Sequence, residues 1–147
     1  MVNLSETLRN FQPIKALVLG DFLLDTYTTG TVKRISPEAP VPVMEIFSQE
    51  SRPGGAGNVV LNLTALGAEV FAVGRIGNDL EADLLKQLLK DSDTSGLFVE
   101  ESYQTPVKNR LIADSQQLIR VDREKITPIP HSLQNRAIQR LDELIPQ

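Results

Sequence analysis

Short runs of consecutive hydrophobic residues alternate along the chain with stretches in which hydrophobic residues recur every three or four positions. The first run, Lys15–Gly20 (KALVLG), is rich in branched side chains and stops at a glycine. An uninterrupted apolar run of this length is typical of a strand buried on both faces, as in parallel sheets. The runs Val70–Val73 and Gly96–Glu100 predict two further strands.

Three segments have the hydrophobic spacing of amphipathic helices. Val59–Leu66 is followed by Gly67, and glycine directly after the last periodic residue is a common helix stop. A second helix is predicted to begin after the capping pair Asn78-Asp79 and to continue to Lys90, and its expected buried face carries Leu80, Leu84, Leu85, Leu88 and Leu89. A third covers Leu133–Leu144. Strands that alternate with helices predict an α/β fold with a largely parallel sheet.

Two extended segments do not fit this alternation. Asp25–Gly30 (DTYTTG) has the Tyr and Thr content of a strand, and Ile35–Val43 holds three prolines, which exclude a helix. Val41–Phe47 alternates loosely, as an edge strand would. We expect these segments to form a separate small sheet. Downstream, a hairpin is predicted from Val107–Ala113 and Leu118–Asp122, which flank Asp114-Ser115.

Composition narrows the class of protein. The chain of 147 residues is long enough for one domain, and its net charge of -4 argues against a nucleic-acid surface. There is no cysteine, so neither disulfides nor thiolate metal sites are expected. Because neither an apolar signal core nor eighteen consecutive apolar residues occur, we expect a soluble, cytoplasmic protein without a membrane or nucleic-acid partner.

The glycine-rich segment Gly54–Asn58 (GGAGN) is the most informative candidate for chemistry. Glycines at the start of a helix let a ligand approach the backbone, and free amides together with the helix dipole favour oxygen-rich ligands. Asn58, in the expected first turn, can both donate to and accept from a hydroxyl. A glycine turn that serves only helix packing remains the alternative.

Charged residues supply the other candidates. Asp21 and Asp25 follow the first strand, where open α/β sheets bind ligands, and a carboxylate there can hold two vicinal hydroxyls. A turn or capping role is the alternative, and no metal ligand is predicted because no histidine or further acid accompanies them. Lys108, Arg110 and Arg120 alternate on the expected hairpin, where they could meet a phosphate or simply face solvent.

The common nucleotide-binding motifs are missing from the sequence. It has no G-x-x-x-x-G-K-[ST] segment, and no G-x-G-x-x-G follows the first strand. The one histidine, His131, stands at an expected helix start, where a surface or capping role is favoured over catalysis.

Together these features resemble the PfkB carbohydrate kinase family. Gly54, Gly55, Ala56 and Asn58, followed by Gly67 and Gly77 at the expected distances, match its N-terminal signature, and Val60 departs from it where the family usually has a small residue. The segments GDFLLDTYTTG, RISPEAPVPV, RPGGAGNV and QQLIRVD are similar to heptose 7-phosphate kinases. This resemblance implies a ribokinase-like three-layer α/β/α sandwich with a small β-sheet lid, of which residues 1–147 would form the N-terminal, sugar-binding part.

The resemblance also implies roles for individual residues. Asp25 matches the aspartate that grips sugar hydroxyls, and the glycine pair with Asn58 matches its backbone and side-chain partners. Asp21 is a weaker candidate with a structural alternative. Candidates for the substrate's phosphate or for lid packing are Arg34, Lys108, Arg110 and Arg120.

The implied activity is ATP-dependent phosphorylation of heptose 7-phosphate at its anomeric hydroxyl, in lipopolysaccharide core biosynthesis. By the same resemblance, ATP and Mg²⁺ would bind mostly outside this chain. The family's catalytic aspartate belongs to a Gly-Ala-Gly-Asp motif that does not occur here, so the resemblance implies no catalytic residue within this chain. We expect a truncated chain that cannot turn over alone, with a second copy at the lid or a C-terminal half as partner. Another PfkB sugar or nucleoside kinase, or a non-catalytic sugar-binding or split-gene subunit, remains the alternative.

Overall fold

The computed structural model of the chain describes residues 14–145, which form two sheets and three helices. The strands are β1 (Lys15–Leu19), β2 (Phe22–Ile35), β3 (Pro42–Gly55), β4 (Glu69–Ile76), β5 (Asp93–Val99), β6 (Val107–Ala113) and β7 (Gln116–Arg123). The helices are α1 (Ala56–Ala65), α2 (Leu80–Leu88) and α3 (His131–Leu144). Within residues 14–145 no helix combines the length and the apolar character that a membrane crossing requires.

The first sheet is parallel, with three strands in the order β1-β4-β5, and has helices on both faces. Alternate residues of β4 point to opposite sides, so that Val70, Ala72 and Ile76 join the core beneath α1 and α2. Val73 packs on the other side, against Leu133 of α3. The predicted three-layer α/β/α arrangement is confirmed, and burial on both faces explains why these strands are continuous hydrophobic runs.

Phe22, at the start of β2, joins the parallel sheet to the rest of the core. Its side chain is 1% exposed and lies over Gly74, where an added Cβ would come within 2.5 Å of the ring. Core positions tolerate so little extra volume that any side chain at Gly74 would displace the ring. The glycine therefore lets the chain leave β1 and enter β2 directly above the sheet.

The second sheet has four strands in the order β3-β2-β6-β7, and we call it the lid sheet. β2 lies between antiparallel β3 and parallel β6, and β6 pairs with β7 through a hairpin. The hairpin residues Asp114 and Ser115 both have positive φ, which is characteristic of a two-residue type I′ turn. The predictions of a separate sheet, of an edge strand and of this hairpin are confirmed. However, β3 continues to Gly55, well past the predicted end at Phe47.

One prediction about α2 is wrong. Leu85 and Leu89 are buried as expected, but Leu80 is 81% exposed and Leu84 is 36% exposed. The two exposed leucines line a groove of about 420 Å³ between α2 and the lid sheet. Helical spacing identified one apolar stripe of five leucines, of which three, Leu85, Leu88 and Leu89, pack against the core.

Candidate functional site

The predicted glycine and aspartate positions meet where β1 ends, β2 begins and α1 begins. The backbone amide of Ala56, the first residue of α1, donates a 2.9 Å hydrogen bond to the carbonyl of Asp21. Gly55 precedes it with φ of 56°, and an added Cβ would lie 2.5 Å from the same carbonyl. Position 55 must therefore be glycine, because of both its left-handed backbone conformation and this close approach. Asp21 takes part in this contact through its backbone carbonyl rather than through its carboxylate.

The carboxylate of Asp25 lies against Gly54. A Cβ at Gly54 would come within 2.4 Å of Asp25 Oδ2, while Oδ1 accepts a 2.5 Å hydrogen bond from Arg110 Nη1. The side chains of Asp25 and Arg110 are each 24% exposed, so a ligand can reach the pair from solvent. Arg110 therefore holds one oxygen of the carboxylate, and the missing side chain of Gly54 makes room for the other.

The first turn of α1 lies beside this carboxylate and lacks a side-chain cap. Its N-cap is Gly55, so no side chain bonds to the free amides at the start of the helix. Asn58 is exposed in the first turn, and Asn62 Nδ2 donates to its carbonyl at 2.8 Å and to its Oδ1 at 3.4 Å. Uncapped amides at a helix N-terminus, next to a carboxylate and a side-chain amide, suit a ligand rich in hydroxyl groups.

Charged side chains cover the face of the lid sheet that carries Asp25. We call it the charged face; its residues are Asp25, Tyr27, Glu50, Arg52, Lys108, Arg110, Arg120 and Asp122. Across the strands, Asp25 has Arg52 and Lys108 as its register partners, while Arg110 lies opposite Tyr27 and Arg120. Three of the predicted phosphate candidates therefore fall on the same face as the predicted sugar aspartate.

Most cations on this face have a carboxylate partner. Arg120 bonds to both oxygens of Asp122 at 2.8 and 2.9 Å, and Lys108 Nζ lies 4.0 Å from Glu124. The hydrogen bond to Asp25 raises the pKa of Arg110 above its ordinary value, because the carboxylate stabilises the charged guanidinium. The charged face is therefore a set of ion pairs in which a ligand would have to share or exchange partners.

Arg34 lies apart from the other candidates. It is exposed at the opposite end of β2, paired in register with Val43, and roughly 30 Å from Asp25 along an extended strand. The contact of Arg34 with a substrate phosphate remains a prediction. In the structure Arg34 does not reach the charged face.

Tyr27 and Arg52 were missed at the level of sequence. The guanidinium carbons of Arg110 and Arg52 lie 5.3 and 5.9 Å from the centre of the Tyr27 ring. Period-two alternation from Asp25 could have placed Tyr27 on the same face. Arg52 could not be placed, because its position depends on how β3 pairs with β2.

A third missed residue, Arg75, fastens the segment between β7 and α3 to the core. Its side chain is 11% exposed, pairs with Glu100 at 3.3 Å and stacks 3.8 Å from the centre of the Tyr103 ring. It also donates to the hydroxyl and carbonyl oxygens of Thr127, both at 3.1 Å. Burial raises the pKa of the Tyr103 phenol.

The segment that Arg75 holds forms one wall of a cleft of about 420 Å³, which Asp21, Leu23 and Lys108 also line.

Residues 14–145 contain no cluster of side chains that could bind a metal ion. Nowhere in this range do three or more His, Asp or Glu side chains lie close enough to hold an ion together. The carboxylates of the charged face, Asp25, Glu50 and Asp122, are paired with arginines instead. The residues in this range therefore do not fit a Mg²⁺ site.

Comparison with known proteins identifies the family. The sequence profile described as pfkB family carbohydrate kinase matches residues 14–146. The chain belongs to this family of carbohydrate kinases, as the resemblance of its glycine pattern predicted.

Individual relatives agree with this assignment. The chain is 45% identical over 133 residues to the bifunctional protein HldE of Helicobacter hepaticus, covering 89% of this chain and 28% of that protein. It is 45% identical over 125 residues to HldE of Gluconobacter oxydans, covering 83% of this chain and 26% of that protein. The chain thus spans little more than a quarter of the length of these relatives.

Solved structures share the fold. A carbohydrate kinase from Agrobacterium tumefaciens superposes with a TM-score of 0.59 at 22% identity, covering 75% of this chain and 35% of that chain. The ribokinase of Arabidopsis thaliana, complexed with ribose and ATP, gives a TM-score of 0.59 at 14% identity, covering 78% of this chain and 36% of that one. The predicted ribokinase-like fold is confirmed.

The contact between Gly54 and Asp25 can be tested by a double-mutant cycle. Gly54→Ala should lower the free energy of unfolding by about 1–3 kcal/mol, because the new methyl group displaces the carboxylate. With Asp25→Ala already present, the same substitution should cost at least about 1 kcal/mol less, since the methyl group then meets only the flexible end of Leu23. Urea denaturation of the four proteins measures this coupling, and additive costs would contradict the contact.

Proposed function

We propose that this chain forms the acceptor-binding part of a sugar kinase, with Asp25 as the residue that holds the sugar hydroxyls. The observation that carries the proposal is the position of the Asp25 carboxylate, fixed against Gly54 and beside the uncapped first turn of α1. A carboxylate accepts hydrogen bonds from two neighbouring hydroxyls, and free amides bind their oxygens. Gly55 and Asn58 complete this set, and Asp21 supports it through its backbone.

The proposed acceptor is heptose 7-phosphate, phosphorylated at its anomeric hydroxyl on the way to the lipopolysaccharide core. Two observations support this choice over an unphosphorylated sugar or nucleoside. Sequence identity to the HldE proteins is 45% over most of the chain. In addition, Lys108, Arg110 and Arg120 share one face with Asp25, so an acceptor that carries its own phosphate would find cations within the same site.

The phosphoryl donor is proposed to be ATP with Mg²⁺, bound mainly by a further segment of a complete kinase. That segment would supply the aspartate that takes the proton from the acceptor hydroxyl. We expect residues 1–147 alone to bind the acceptor without turning it over. An enzyme that draws on ATP and sugar phosphates in this way would act in the cytoplasm.

Acceptor binding can be measured by calorimetry with heptose 7-phosphate. Asp25→Asn should weaken binding about 100-fold, because two hydrogen bonds to a charged group are lost. The matched control is Asp91→Asn, which changes an exposed aspartate in the turn after α2 and should bind as the unchanged chain does.

Ribose, fructose and a nucleoside, titrated into the same proteins, identify the acceptor. Preference for one of these over heptose 7-phosphate, with the same dependence on Asp25, would reassign the sugar and keep the site. Equal binding by Asp25→Asn and the unchanged chain would reject the site itself.

The proposed protein partner is a second copy of the chain, docked on the opposite face of the lid sheet. This uncharged face carries Leu24, Thr26, Thr28, Gln49, Ser51, Asn109, Leu111, Ile119 and Val121. Its polar groups bond to one another, as in Thr26 with Ser51 and Thr28 with Asn109, both at 2.8 Å. Ile119 and Val121 are 54% and 50% exposed, and Leu80 borders the same groove.

Self-association suits such a face, because two copies would bring together apolar and internally satisfied polar groups. Arg123 and Glu81, which border the face, already form an ion pair within the chain. The charged face, by contrast, would place like charges against each other. A C-terminal half of the kinase, the other partner predicted from sequence, would contact the charged face instead, where the acceptor is proposed to bind.

Sedimentation velocity can distinguish these arrangements. The unchanged chain should sediment as a dimer, and Val121→Asp should sediment as a monomer, because it places an unpaired carboxylate in the docked face. Leu66→Asp, at a 61% exposed leucine outside the lid sheet, should remain a dimer. A monomeric unchanged chain, or a dimeric Val121→Asp, would reject this interface.

A further inference from the structure

Residues 124–130, which we call the strap, connect the end of β7 to the start of α3 and have few contacts of their own. Ile126 is 94% exposed, and Pro128 and Pro130 have no N–H group to donate. Among residues 14–145, no backbone amide of the strap donates a hydrogen bond to another backbone group. A segment with so few contacts keeps one position only where side chains from other elements hold it.

Arg75, near the C-terminal end of β4, holds the middle of the strap. Its guanidinium donates to the hydroxyl and the carbonyl of Thr127, both at 3.1 Å, and to the carbonyl of Pro128 at 3.4 Å. The guanidinium is itself fixed by the Glu100 carboxylate at 3.3 Å and by the ring of Tyr103. Its direction is therefore set by the core, and the strap follows it.

The other contacts of the strap lie at its two ends. Lys108 Nζ is 4.0 Å from the carboxylate of Glu124, and both side chains are partly exposed, so this ion pair contributes little. Gln134 Nε2 donates to the carbonyl of Ile129 at 2.8 Å, where the strap enters α3. Neither contact fixes the residues between them, which leaves that role to Arg75.

The middle of the strap faces a cleft that adjoins the proposed acceptor site. Thr127 and Ile129 line this cleft together with Leu23. Leu23 also borders the carboxylate pocket, because its side chain and Asp25 Oδ2 would each lie 2.4 Å from a Cβ at Gly54. The cleft and the carboxylate pocket therefore share the side chain of Leu23 and are continuous.

The lid sheet places the strap and the glycine pair on opposite sides of Asp25. In the order β3-β2-β6-β7, the glycine pair ends one outer strand, β3, and the strap leaves the other, β7. These two strands run in the same direction, so both segments leave the sheet at the same end. An acceptor held by Asp25 on β2 is thus bordered by the first turn of α1 on one side and by the strap on the other.

We propose that Arg75 is a positioning residue for the acceptor: it holds the strap as the wall of the site that faces the glycine pair. This inference rests on the proposed acceptor site at Asp25. A wall that is held in place before binding does not have to be ordered in the complex, so the acceptor binds more tightly. By linkage, the acceptor must in turn stabilise the held position of the strap.

The contribution of Arg75 can be isolated without leaving a buried charge unpaired. Arg75→Met alone would strand the largely buried carboxylate of Glu100, so it is combined with Glu100→Gln. Glu100→Gln alone is the matched control, because it leaves the hydrogen bonds from Arg75 to Thr127 in place. Arg75→Lys is a second variant, which keeps the charge beside Glu100 but cannot reproduce the forked contacts of the guanidinium.

Calorimetry with heptose 7-phosphate measures the effect on the acceptor. Glu100→Gln should bind within about twofold of the unchanged chain, and the double variant Arg75→Met, Glu100→Gln should bind about tenfold more weakly. Arg75→Lys should fall between them. Circular dichroism of each protein establishes that it is folded.

Limited digestion with trypsin, followed by mass spectrometry, measures the strap directly. Lys125 is the cleavage site within the strap, and the exposed Lys90 in the turn after α2 is the internal reference. The double variant should be cut at Lys125 at least about tenfold faster than Glu100→Gln, because cleavage follows the population of released strap. Saturating heptose 7-phosphate should slow cleavage of the unchanged chain at Lys125 at least about fivefold and leave Lys90 unaffected.

Protection by the sugar separates positioning from a purely structural role, which would not give it. Sugar binding without protection at Lys125, or faster cleavage of the double variant with unchanged sugar affinity, would overturn the inference and leave the role of Asp25 intact. Equal cleavage of the double variant and its control would overturn it as well, since Arg75 would then not hold the strap. If the unchanged chain binds no sugar, the proposed acceptor site fails, and the positioning role of Arg75 is rejected with it.

Discussion

The pleat of β2 is the constraint on which the rest of the site depends. Successive residues of this strand point to opposite faces, so Asp25 and Tyr27 lie among charged side chains while Leu24, Thr26 and Thr28 lie on the uncharged face. Because β2 is paired on both edges, with β3 and with β6, its register cannot slip without exchanging the two faces. One strand thus separates the charged face, where the acceptor is proposed to bind, from the uncharged face, where a second copy is proposed to dock.

The glycine pair couples this strand to the parallel sheet. Gly54 leaves room for the carboxylate of Asp25, and Gly55 lets the chain turn from β3 into α1 against the carbonyl of Asp21. The same two residues therefore form the carboxylate pocket and leave the helix amides uncapped. The function of the pair is explained by two close approaches rather than by flexibility, because a side chain at either position would meet an oxygen atom of the site.

The sequence was most informative where the physics is local. Burial on both faces produces the continuous apolar runs of β1, β4 and β5, and the stop at Gly67 follows from its positive φ of 86°. Asp25, Gly54 and Gly55 were identified from their order in the chain, and their binding roles remain proposals. Register and tertiary contact determine the features that were missed. The proximity of Arg52 to Tyr27 depends on how the strands pair. The exposure of Leu80 depends on where the lid sheet ends. The contacts of Arg75 join segments that are distant in sequence.

The central claim is that a sugar phosphate lies on the charged face of the lid sheet, between the first turn of α1 and the hairpin of β6 and β7. Titration of heptose 7-phosphate into the ¹⁵N-labelled chain, followed through backbone amide shifts, tests it most directly. We expect the largest shifts at residues 21–25, 54–58 and 108–110 and around Arg120, with little change at α3. Shifts confined to α2 and its groove, or an unchanged spectrum at saturating sugar, would contradict it.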